Sequence, residues 1–164
     1  MPKPTRRHKP VGPEFLTPAV QRPMARHAFK VPAAAVWAAL RDGPAWAQWL
    51  PITKVTWTSP EPFAVGTTRT VEIGEQVVRE YFYAWEEGRR MAFRFEESSL
   101  PVSAGAEDYT VVPTADGCEL LWSGKASAIF PLGSLITGQL RNSLAAGMPK
   151  LEALILAEPK RFGL

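Results

Sequence analysis

From residue 52 onward the chain adopts a two-residue rhythm, and this constrains its fold more than any other feature. Six runs rich in β-branched and aromatic residues follow one another at 52–58, 65–73, 77–85, 90–96, 107–112 and 118–129. Such residues suit a half-buried pleated surface. The breaks between runs are mostly short: Gly74-Glu75, Glu86-Glu87-Gly88 and Ala115-Asp116-Gly117 are turn chemistry. Short turns join neighbouring antiparallel strands, so the region reads as a meander.

The rhythm then changes once more. After Pro131-Leu132-Gly133, the residues Ile136, Leu140, Leu144, Met148, Leu151 and Ile155 recur at spacings of three and four. That is one apolar stripe on a long helix. Pro149 lies within it and predicts a kink near Ala145 to Pro149, eased by Gly147. Upstream, 24–31 reads as a first strand, stopped at Val31-Pro32. Ala33, Val36, Trp37 and Leu40 mark a short helix, and Ala45 to Trp49 a second one. The expected class is α+β: a seven-stranded curved antiparallel sheet, one long C-terminal helix, and two short helices after the first strand. One helix cannot fill a strongly curved sheet, so an apolar cavity is expected between them.

At 164 residues the chain is long enough for one domain with a real core. Its single cysteine, Cys118, excludes an internal disulfide framework. Two histidines, His8 and His27, with that cysteine make no zinc set, and neither metal nor cofactor is expected. No apolar run approaches a membrane span of about 20 residues, and no apolar leader follows the basic start. The expected setting is therefore cytoplasmic.

The net charge of +3 invites a nucleic-acid reading, but its distribution opposes one. Residues 1–23 hold five cations, Lys3, Arg6, Arg7, Lys9 and Arg22, against Glu14, so the remainder carries −1. The basic character belongs to this segment rather than to the body. Six of its residues are prolines, which predicts a flexible basic arm, although Phe15, Leu16 and Val20 are able to dock. The domain proper is expected over 24–158, with a tail at 159–164. Monomer and homodimer are both compatible with this organisation.

Several segments, taken in order, carry a family resemblance. They are Val31-Pro32-Ala33-Ala34-Ala35-Val36-Trp37-Ala38-Ala39-Leu40, Asp42-Gly43 with Trp46, Trp49 and Pro51, and Val65-Gly66-Thr67-Thr68-Arg69. Arg79-Glu80, Arg89-Arg90-Met91-Ala92-Phe93 and Leu120-Leu121-Trp122-Ser123 continue the series. Together they resemble the START/Bet v 1-like (SRPBCC) superfamily, and more narrowly polyketide cyclase/dehydrase-type bacterial proteins. The resemblance spans about 24–157 and implies a helix-grip fold around a hydrophobic cavity. It implies no single activity, because fold does not fix function.

The long hairpin supplies the candidate chemistry. Pairing Trp85 with Arg90 places Glu80, Phe82 and Ala84 on one face with Met91, Phe93 and Phe95. On that register Glu80 is the single acid on an apolar face, where desolvation raises its pKa and suits it to acid or base work. The competing reading pairs Glu80 with an arginine such as Arg69 or Arg94 at the sheet surface. Arg69, if inward, can hold a carboxylate, phenolate or enolate through its five donors; the alternative is a solvated strand residue. In polyketide aromatase relatives a pocket arginine is the suggested chemical centre. Trp46 and Trp49 are expected near the cavity mouth. Phe82, Phe93, Phe95, Trp122, Leu140, Leu144 and Met148 complete the expected lining. His27 reads as a surface strand residue and Cys118 as a small half-buried one.

Three functions fit these features. The first is binding of a small hydrophobic or aromatic metabolite or lipid. The second is a cyclase, aromatase or dehydratase in which Glu80 moves protons and Arg69 stabilises an enolate. The third is partner binding without a ligand.

Overall fold

The computed structural model describes residues 1–20 and 22–164, with the side chains of Ala19 and Val20 outside the description. The docking expected of Val20 therefore lies outside the described residues. The chain opens with β1 (Arg6–Arg7), a 3-10 turn at Pro13–Phe15 and α1 (Thr17–Val20). Then come β2 (Ala25–Phe29), α2 (Ala33–Arg41), a 3-10 turn at Gly43–Ala45 and α3 (Trp46–Trp49). The meander consists of β3 (Lys54–Trp57), β4 (Thr68–Ile73), β5 (Gln76–Glu86), β6 (Arg90–Ser98), β7 (Ala104–Thr114) and β8 (Gly117–Ser127). The long helix α4 (Leu132–Ala157) follows, and a 3-10 turn at Pro159–Phe162 ends the chain.

The seven longer strands lie in the order β2-β8-β7-β6-β5-β4-β3, each antiparallel to its neighbour. The first of them thus pairs with the last, and α2 and α3 carry the chain from one sheet edge to the other. Helix α2 can do this because it is compact and apolar: Ala35, Val36, Trp37, Ala39 and Leu40 are all buried. Asp42 stops it, and its carboxylate accepts from the Ala45 N–H at 3.1 Å to start the next turn. Helix α4 packs across the concave face. Leu144, Met148, Leu151 and Ile155 are buried, whereas Ile136 and Leu140 in its first half are only partly covered. The helix continues unbroken through Pro149. Gly147 serves close approach: a Cβ there would lie 2.5 Å from the Trp49 carbonyl, so only glycine lets α3 seat on α4.

Both ends of the chain depart from expectation. The N-terminal segment is laid on the body rather than free. Residues Arg6 and Arg7 pair with Ser98 and Glu97, adding an eighth strand beside the end of β6 that β7 leaves open. The N–H groups of His8 and Lys9 reach the Glu96 and Ser103 carbonyls at 3.0 and 2.9 Å. Proline removes its own donor but not those of its neighbours, so the intervening residues still pair. Val11 and Leu16 are buried against Ala104 and Ala106 on the outer face, where small side chains leave room for them. The expected tail at 159–164 likewise docks. Phe162 is buried in the main core, and Arg161 donates to Asp42 at 2.8 and 3.0 Å.

Candidate functional site

A cavity of about 280 Å³ lies between the first half of α4 and strands β4 to β7. Val71, Val78, Phe95, Leu140 and Leu144 form much of its apolar wall. It reaches solvent where Pro51, Ile73 and Gln139 are exposed. Gly105 helps make the space: a Cβ there would fall 2.2 Å from the Phe95 ring, so glycine lets that ring lie flat on the sheet.

Among the described residues six polar side chains stand in this wall: Arg69, Glu80, Glu107 and Tyr109 on the sheet, and Gln139 and Ser143 on α4. Arg69 and Glu80 are directly opposite one another on β4 and β5, so side-chain alternation turns both inward together. The register expected for the long hairpin holds where it matters, with Glu80 opposite Phe95 and Phe82 opposite Phe93. It shifts on either side: Trp85 pairs with Met91 and Glu86 with Arg90, because bulges interrupt the ladder between Arg79 and Glu80 and between Phe82 and Ala84. Glu80 is therefore inward and also paired with Arg69, which combines the two readings the sequence left open. The pair is buried, at 2% and 4% side-chain exposure, rather than solvated at the sheet surface.

Aromatic rings explain why a guanidinium is tolerated there. Its carbon lies 4.2 Å from the Trp46 ring centre, 4.7 Å from Phe93, 5.2 Å from Phe82 and 5.3 Å from Trp57. Their negative faces offset part of the cost of removing the cation from water. The Arg69 Nε donates to Glu80, while Nη1 is buried with no hydrogen-bond partner among the described residues. Burial pushes the Glu80 carboxyl up to about 7, against the opposing pull of Arg69.

Glu107 is held differently. Its Oε1 accepts from Trp122 Nε1 at 2.9 Å and from the Tyr109 hydroxyl at 3.1 Å. Burial raises its pKa, and the Trp122 hydrogen bond is the chief opposing influence. Burial and the adjacent Glu107 carboxylate hold the Tyr109 hydroxyl well above the usual tyrosine range, so it stays a donor. The wall thus carries two buried carboxylates and one guanidinium, an arrangement suited to exchanging a proton with a polar group brought between them.

Of the expected lining, Trp46, Phe95, Leu140 and Leu144 border the cavity, as do Glu80 and Arg69. Trp49, Phe82, Phe93, Trp122 and Met148 do not. Phe82 and Phe93 surround the Arg69 guanidinium, and Trp122 binds the Glu107 carboxylate. Trp49 leans on Trp46 with ring centres 5.1 Å apart and packs α3 on α4, while Met148 is fully buried further along the helix. Trp46 is itself buried, forming wall rather than gate. Glu107 and Tyr109 were missed in sequence. Their alternation around Asp108 was the available signal, since Asp108 turns outward to Arg90 at 2.6 Å. His27 meets Glu152 at 3.1 Å, and Cys118 is fully buried, its thiol pushed up to about 11 by that burial. Among the described residues no three of His, Cys, Asp and Glu gather as metal ligands, and no helix is long and apolar enough to cross a membrane.

Comparison with known proteins places this geometry. The chain is 55% identical over 87 residues to uncharacterized proteins of Mycobacterium bovis and Mycobacterium tuberculosis, a match covering 51% of this chain and 52% of theirs. The chain thus spans about half the length of the curated relatives it matches. A START superfamily protein from Mycobacterium smegmatis superposes with a TM-score of 0.66 at 14% identity, over 81% of this chain and 95% of that one. Ara h 8.0201 superposes with a TM-score of 0.65 at 13% identity, over 80% and 95%. These distant structures share the helix-grip fold: a curved antiparallel sheet closed by a long C-terminal helix. The family model described as polyketide cyclase/dehydrase and lipid transport matches residues 24–155, so the chain belongs to that family.

Proposed function

We propose that the protein binds a small hydrophobic or aromatic metabolite carrying one polar group, seated between α4 and the concave sheet. Family and fold fit hydrophobic-ligand binding at this coarse level. The observation that carries the finer reading is the cavity itself, about 280 Å³ with a largely apolar wall and its charged groups gathered on the sheet side. Small-molecule sites run from about 300 to 1,000 Å³. This one lies just below that range, which favours one or two rings or a short acyl chain over a sterol. The polar group is expected beside Arg69, whose Nη1 is a buried donor lacking an acceptor among the described residues.

The test is native mass spectrometry of the purified protein, with analysis of what denaturation releases, and titration with anilinonaphthalene sulfonate as a probe. A bound apolar compound, or saturable probe binding, is expected in the wild type. Leu140→Trp fills the cavity and should abolish either signal without loss of fold. An apo mass together with no probe binding overturns the proposal.

One observation favours a second, catalytic reading. Glu80, with its carboxyl near 7, is able to give or take a proton at neutral pH, beside a guanidinium that can stabilise an enolate. In that reading Glu80→Gln abolishes turnover of a cyclisable or dehydratable polyketide-type substrate while leaving its affinity nearly unchanged. A loss of affinity equal to the loss of turnover assigns Glu80 to binding alone.

A further inference from the structure

The connection between β8 and α4 carries the least covered apolar side chains of the folded body. Ile129 and Phe130 are 89% and 87% exposed, and Leu135, one turn into α4, is 61% exposed. Adjacent aliphatic and aromatic side chains seldom stand in water without a purpose. Ile129 and Phe130 each border a groove yet stand almost wholly in solvent, so a deformable apolar medium suits them better than a rigid complementary surface.

Grooves on both sides of this loop are bordered by cations. On one side, against Ile129, lie Arg6, Arg7 and Lys9. On the other, against Phe130, lie Lys125 and Arg141. Among the described residues no aspartate or glutamate lines either groove. The sequence has no carboxylate from Leu120 to Leu151, nor from Ser98 to Ala106; Glu97, opposite Arg7 on β6, is already held by Thr5 and Arg79. The docked N-terminal segment matters here, because pairing of Arg6 and Arg7 with β6 is what brings its charge to the loop.

We propose that this pole docks the protein on an anionic lipid bilayer, Ile129 and Phe130 entering the interface while the flanking cations meet lipid phosphates. Apolar side chains within a basic ring give interfacial binding two additive sources, burial and attraction to acidic headgroups. The docked pole adjoins the cavity. Leu100 of the cavity wall immediately precedes Pro101 of the basic groove, and Ile136 of the wall follows Leu135. An apolar ligand leaving the cavity at this end meets the bilayer first.

Vesicle flotation with the full chain tests the proposal, using phosphatidylcholine alone and an equimolar mixture of phosphatidylcholine and phosphatidylserine. The protein should float with the mixed vesicles and not with phosphatidylcholine alone, and salt should release it. Ile129→Ser with Phe130→Ser should lower partitioning roughly tenfold or more, since that is what exposing one large side chain costs. Arg141→Glu should lower it about fivefold or more. Both substitutions alter exposed residues, and a thermal melt checks each fold. Should the double variant melt early, Arg141→Glu and the wild-type salt series decide. No flotation with the mixed vesicles, or flotation unchanged by the variants and by salt, overturns the proposal and leaves an acidic protein surface as the partner to seek.

Discussion

The two ends of the concave face are built on the same strands yet differ in what fills them. Toward one end of β4 and β5, Trp57 stacks on Phe63 at 4.3 Å, and Phe82 meets Trp85 at 5.4 Å. Toward the other end the facing residues are Val71 and Val78, and the space above them is the cavity. The Arg69–Glu80 pair sits at the boundary. Aromatic bulk closes one half and lends its ring faces to the guanidinium, whereas valine leaves the other half open. A buried charge and an open cavity thus share one cause, the step from aromatic to aliphatic side chains along two strands.

The comparison breaks hardest at its boundary. Arg69→Met strands the Glu80 carboxyl without its cation and should cost about 3–5 kcal/mol, read by urea unfolding. Adding Glu80→Gln should recover part of that loss; a double variant as unstable as the sum of the two singles would deny the coupling. Next, Phe82→Ala opens a void in the filled half and should cost about 3–5 kcal/mol, against about 1–2 kcal/mol for Val71→Ala beside space that is already open. Equal costs would mean that the two halves are packed alike. Gly105→Ala should displace the Phe95 ring into the cavity, costing about 1–3 kcal/mol and eliminating probe binding.

The remaining expected effect is a dependence on pH. Glu80 has a folded pKa raised from 4.5 to about 7, so the native state holds a proton that the unfolded chain has released. Its contribution to stability is greatest below 4.5 and is lost as pH rises from 4.5 to about 7. The stability of the wild type minus that of Glu80→Gln should therefore fall across this window, by no more than about 1.4 kcal/mol per pH unit. A flat difference would show that Glu80 is ionised throughout.

The fold was legible because its two rhythms are strong and uninterrupted, and Glu80 was legible because a lone acid among Phe82, Phe93 and Phe95 marks its own face. Arg69 was half legible: residue type and strand were clear, but its direction depended on pairing opposite Glu80. The aromatic lining was over-read. Period places Phe82, Phe93 and Trp122 on the inner face, but it cannot tell whether that face meets a cavity, a guanidinium or a carboxylate. Glu107 stayed hidden because the Glu107-Asp108 doublet offers one acid to each face, and only the neighbouring strands decide which turns inward. The docking of Val11 and Leu16 left no periodic trace at all, since a few apolar residues among prolines find their partners about ninety positions away.

Cys118 gives these distinctions a clock. It is the chain's sole cysteine, wholly buried where β8 pairs with Phe29 of β2, and its raised thiol pKa suppresses the reactive thiolate. In the native state it should resist alkylation, so the rate at which a maleimide captures it counts openings of this sheet edge one molecule at a time. Labelling rates that respond to Phe82→Ala but not to a ligand in the cavity would mean that the edge opens with the aromatic half alone. Rates slowed by ligand would mean that the grip of α4 on the whole sheet governs its breathing.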